Sequence, residues 1–136
     1  MDYQIREYTD CNMDEVLSLY ASVGWTAYTD RPDMLERAFL GSREILGAYA
    51  DEKLIGLIRA VGDGASILYI QDLLIYPEFQ GKGIGTALLK ELMTRNAQVY
   101  QKCLVTDDSE KSIAFYKKNG FILHEQYGCR GLIKIY

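Results

Sequence analysis

Three glycines spaced two apart, Gly81, Gly83 and Gly85, follow an apolar run and open a stretch with helical periodicity. Glycine removes the side chain where a backbone must bend or approach a ligand closely, and the free N–H groups in the first turn of the new helix face outward. Such a turn attracts phosphate. The same residues exclude two other phosphate loops. A dinucleotide fingerprint needs glycine where Thr86 stands, and a nucleotide P-loop needs Ser or Thr after Gly-Lys where Gly83 stands. A plain tight turn is the other use of such glycines. Just upstream, Asp72 sits inside the apolar run Ile70–Ile75. A carboxylate there is costly unless it has a partner or a chemical task, so it reads equally as a general base or as half of an ion pair.

The elements that position these residues follow from the apolar periodicity. Tyr3–Tyr8 alternates as a strand, and Asp10 and Asn12 offer caps to a helix carrying Val16, Leu19, Tyr20 and Val23 that Gly24 ends. Pro32 suits the first turn of a second helix with Met34, Leu35, Ala38 and Phe39 on one face, closed by Gly41. Glu44–Ala50, Leu54–Val61 and Ser66–Tyr76 form an antiparallel meander, turned at Asp51-Glu52-Lys53 and Gly62-Asp63-Gly64. Gly83–Arg95 is helical, followed by a strand near Lys102–Thr106, a helix over Ser109–Asn119, and two closing strands, Phe121–Tyr127 and Gly131–Tyr136, in a hairpin about Gly128. Strand, helix, strand implies a parallel crossover. The fold class is α/β: a single domain with a mixed, mostly antiparallel sheet, helices on both faces and a central splayed parallel strand pair.

At 136 residues and 49% hydrophobic content the chain builds one core, not two. Charged residues interrupt every apolar run before membrane-spanning length, and the start Met1-Asp2-Tyr3-Gln4 lacks the order of a signal peptide, so a cytoplasmic protein without membrane partners is expected. Cys11, Cys103 and Cys129 lack metal or redox spacing, and the lone His124 completes no metal site. A net charge of -4 argues against a nucleic-acid partner.

Gln80-Gly81-Lys82-Gly83-Ile84-Gly85 fits the Q/R-x-x-G-x-G/A motif, and the chain from about residue 66 to 123, including Ser112–Phe121, resembles the GCN5-related N-acetyltransferase (GNAT) family. The resemblance implies transfer of acetyl from acetyl-coenzyme A to a primary amine of a small molecule or peptide by direct attack, with no metal. It implies that the loop amides of Gln80, Gly81, Lys82, Gly83, Ile84, Gly85 and Thr86 hold the pyrophosphate of coenzyme A. Pantetheine would lie along Leu73, Leu74 and Ile75, pairing with the backbone of Leu73 and Ile75. Where the family often has Asn, seven positions before its tyrosine, this chain has Ser109, whose hydroxyl is the replacement contact.

By the same resemblance Tyr116 protonates the departing sulfur, with core packing as its other role, and Asp72 becomes the leading base. Trp25 and Tyr28 lie in the segment that covers the acceptor pocket in this family, where they offer π faces to an amine or simply pack. Arg59 would steer a substrate carboxylate. Asp107 ends the crossover strand, where it serves a ligand or caps a loop. A non-catalytic acyl-coenzyme A sensor is the alternative function. Terminal strands with an open edge offer a surface for a homodimer.

Overall fold

The computed structural model describes residues 1–136 as two compact units, Met1–Leu104 and Val105–Tyr136. The first unit holds a five-stranded sheet in the order β1 (Gln4–Glu7), β2 (Glu44–Ala50), β3 (Lys53–Gly62), β4 (Ile67–Ile75), β5 (Gln101–Leu104). Neighbours are antiparallel except the β4–β5 pair, which is parallel and joined by helix α4 (Ile84–Arg95). The parallel pair therefore lies at the edge of the sheet and not at its centre. No helix is long and apolar enough to cross a membrane.

Each face of the sheet takes a different set of helices. Glu44 of β2 accepts from Asn96 at the end of α4, so strand alternation aims Leu46 and Ala48 at α4, opposite the buried Ile84, Leu88 and Leu92. The other face meets α1 (Met13–Ser22) and α3 (Pro32–Leu40). There Leu19, Tyr20, Leu35 and Phe39 pack with Ile45, Tyr49, Leu54, Leu57 and Leu74. Leu54 and Leu57 share this face because a bulge leaves Ile55 unopposed: Ala48 faces Gly56 while Tyr49 faces Leu54. Burying one such leucine contributes about 1.5–3 kcal/mol.

Asn12 caps α1 through the N–H groups of Asp14 and Glu15, Pro32 opens α3 and Gly41 closes it. A four-residue helix, α2 (Thr26–Thr29), joins α1 to α3 in a segment the periodicity left as a connection.

Asp63 organises the turn from β3 into β4. Its carboxylate accepts the N–H groups of Ala65, Ser66 and Ile67 and the hydroxyl of Ser66, which hold it well below the usual carboxylate range, the hydroxyl most of all. A depressed folded pKa contributes stability above the unfolded value of about 3.9 that is lost as pH falls through the folded one. Asp63→Asn is therefore expected to lower Tm at pH 7 and to flatten the acid side of a Tm-against-pH curve, the difference from wild type shrinking as pH falls below about 4.

In the second unit, α5 (Glu110–Lys118) is capped by Ser109. The two closing strands do not form. His124–Tyr127 is a 3-10 turn, residues 129–136 have no regular structure, and Leu132, Ile133 and Ile135 are exposed. Alternating apolar residues make a strand only where a neighbouring strand supplies hydrogen bonds, and none pairs with them here. The terminal-strand edge offered for pairing two copies is absent with them.

Candidate active site

Beyond the end of β5 at Leu104, opposite Ile70, β4 continues to Ile75 with no strand on that side. The Tyr76 N–H donates to Ile55 of β3 at 2.9 Å, so alternation turns the N–H and C=O of Leu73 and Ile75 toward the open edge and those of Leu74 toward β3. Just past the strand the chain turns through Pro77–Phe79. Gln80 then donates its side-chain amide to the Ile75 carbonyl at 3.0 Å, closing the loop against the strand it leaves.

Gly81 and Gly83 have φ of +76° and +82°, and a Cβ at either would meet only open space. Glycine is needed there for the left-handed backbone and not for room. Gly83 is the N-cap of α4 and offers no side-chain cap, so the first-turn N–H groups of Ile84, Gly85 and Thr86 are left for an outside acceptor. Lys82 is exposed beside them. This cradle fits an anion such as a pyrophosphate on two counts, backbone donors and the positive end of a helix.

Asp72 is 2% exposed and its carboxylate is fully engaged. Arg59 donates from Nε at 2.8 Å, the Tyr20 hydroxyl donates at 2.7 Å and the Tyr28 hydroxyl at 3.1 Å. The ion-pair reading is the one the geometry realises. Arg59 also donates to the hydroxyl of Ser42 at 3.2 Å and is itself 4% exposed, so in this structure its guanidinium is turned to Asp72 and Ser42. Burial first, and the Asp72 charge second, push the Tyr20 and Tyr28 hydroxyls upward, so both keep their protons. Trp25 and Tyr28 stand 6.3 Å apart by ring centroid, and both pack on the core with Tyr20.

Sequence reasoning passed over Gln71 and Tyr20. A bulge leaves Gln71 unopposed, since Arg59 faces Asp72 while Ala60 faces Ile70. Its side-chain amide donates to the Tyr28 hydroxyl at 2.9 Å. Nothing in the letters marks a bulge, but Tyr20 was legible as a hydroxyl on the apolar face of α1 in need of a partner.

In the second unit, Asp107 accepts from both the N–H and the hydroxyl of Ser109, and Ser109 accepts from the Ser112 N–H. Ser109 thus caps α5 and Asp107 braces the cap. Tyr116 lies half-buried between the rings of Phe115 and Phe121, at centroid distances of 5.0 and 5.9 Å. Its pKa is raised, by burial first and by the Asp107 charge second. Lys117 and Lys118 are exposed.

The chain is an α/β protein in which an open half-edge of a mixed sheet runs into an anion cradle. Comparison with known proteins narrows the class. The sequence profile of the Acetyltransferase (GNAT) family matches residues 8–121. A GNAT family acetyltransferase from Streptococcus pneumoniae TIGR4 is 37% identical and superposes at a TM-score of 0.86, over 99% of this chain and 97% of that one. The N-acetyltransferase ycf52 of Pyropia yezoensis is 29% identical over 126 residues, 89% of this chain and 71% of that protein. PaiA N-acetyltransferase from Thermoplasma acidophilum, solved in complex with coenzyme A, shares the fold at a TM-score of 0.69 and 22% identity, over 90% of this chain and 91% of that one. The chain belongs to the GNAT family of acetyltransferases.

Proposed function

We propose that this chain is an acetyl-coenzyme A-dependent N-acetyltransferase acting on a primary amine of a small molecule or peptide. The observation that carries the reading is the continuous path from the unpaired edge at Leu73 and Ile75 into the Gly81–Gly83 turn at the head of α4. The coenzyme A complex of the Thermoplasma acidophilum relative, which has the same fold, supports it. Acetyl-coenzyme A supplies an acyl thioester, whose carbon–sulfur bond breaks as the amine nitrogen forms the amide. The cradle amides from Gly81 to Thr86 bind the diphosphate, and Leu73 presents its N–H and C=O, and Ile75 its N–H, to the pantetheine amides. Tyr116 gives its proton to the leaving sulfur, and the proton that the attacking nitrogen loses as the amide forms returns to the tyrosine through solvent. Asp72 has a holding role, and the amine enters as its neutral fraction.

The commitment of Asp72 to three donors also favours a second reading, a non-catalytic acyl-coenzyme A sensor, because no free carboxylate of the network stands ready as a base. Thiol release separates the two. Purified protein with acetyl-coenzyme A is offered phenethylamine, spermidine, lysine and a lysine peptide. Transfer to any of them supports the enzyme, whereas tight coenzyme A binding without release supports the sensor. Gly83→Val, which forces a β-branched residue into the left-handed region at about 1–2 kcal/mol of strain, is expected to weaken coenzyme A binding by about tenfold or more in calorimetry.

A further inference from the structure

The bulge at Gln71 leaves one polar atom oriented with no partner in the protein. The Tyr28 hydroxyl has one hydrogen, and it goes to Asp72, a carboxylate that only accepts. Tyr28 can then only accept from its other neighbour, so Gln71 must present its NH2 to the hydroxyl. The amide orientation is thereby set from below, by Arg59 through Asp72 and Tyr28, and the Gln71 Oε1 is turned outward on an exposed residue. A bulge that re-aims a side chain beside a functional edge is a recurrent device. Tyr28 and Trp25 form an aromatic wall next to it, and the network carries one positive and one negative charge, both buried.

We propose that the Oε1 of Gln71 accepts a hydrogen bond from the acceptor amine, with Tyr28 and Asp72 as positioning residues that fix its direction. This rests on the acetyltransferase reading above. A neutral acceptor beside an aromatic wall fits a primary amine with an apolar or aromatic body. It gives no grip on an accompanying carboxylate, since the guanidinium of Arg59 faces Asp72. Arylalkylamines are therefore preferred over amino acids.

Steady-state thiol release with phenethylamine, spermidine and a lysine peptide tests this. Gln71→Met, of similar length without the amide, is expected to raise the amine KM about tenfold, the loss of one hydrogen bond, while the KM for acetyl-coenzyme A and Tm stay as in the wild type. Tyr28→Phe, which frees the amide to flip, is expected to raise the amine KM without moving that for acetyl-coenzyme A. An amine KM in Gln71→Met within about twofold of wild type overturns the proposal. Failure of the wild-type protein to acetylate any amine overturns the acetyltransferase reading instead.

Discussion

Asp72→Ala is expected to destabilise the fold by about 3–5 kcal/mol, because it strands a buried guanidinium. In the intact protein Arg59 and Asp72 sit opposite each other on β3 and β4, with side chains 5% and 2% exposed. Removal of the carboxylate leaves Arg59 with Ser42 and a long contact to the Ala38 carbonyl, and it orphans the Tyr20 hydroxyl as well. Domains of this size are stable by about 5–15 kcal/mol, so the variant loses a large part of the total and its Tm falls by roughly 10–20 °C. Pairing Asp72→Leu with Arg59→Met removes both charges, and this double variant is expected to recover about half of the loss or more. A Tm for Asp72→Ala close to that of wild type would show that the pair is not holding the sheet to α1 and α2.

Tyr116→Phe is the second large effect, and it falls on turnover. It is expected to lower kcat about 100-fold with coenzyme A affinity within about twofold, since Phe keeps the packing between Phe115 and Phe121 and loses only the proton. An acid with a raised pKa stays protonated throughout the neutral range and fails only as pH rises through that raised value. Wild-type turnover is accordingly expected to persist above about pH 10, the ordinary tyrosine value, while the variant is slow at every pH. Equal turnover in the two proteins would reduce Tyr116 to a core residue.

Much of this was legible in the letters, and the gaps have identifiable causes. The meander of β2, β3 and β4 was readable because its turns are marked by Asp51-Glu52-Lys53 and Gly62-Asp63-Gly64, where the backbone adopts positive φ at Asp51, Glu52, Gly62 and Gly64. The glycine turn and α4 were readable because left-handed backbone at Gly81 and Gly83 leaves glycine as the natural residue. The partner of Asp72 was not. Folding the hairpin from Gly62 opposite Leu68 places Arg59 opposite Gln71, and only the bulge shifts it onto Asp72. Helix α2 is too short for periodicity to register. Gly131–Tyr136 alternates like a strand, yet pairing depends on a neighbour that no local pattern encodes. Ser109 was offered to a ligand and Asp107 to a ligand or a loop cap, and their spacing also describes the cap they form on α5.

In the proposed mode, a ligand lying along the uncovered half of β4 is gripped by peptide groups, which every residue but proline possesses in full. Leu73 and Ile75 therefore lend the grip no side chain, and theirs can drift among apolar types without altering it. What must be inherited is a strand that outruns its neighbour. Such a binding mode persists while the letters change around it, and is erased by a single imino acid.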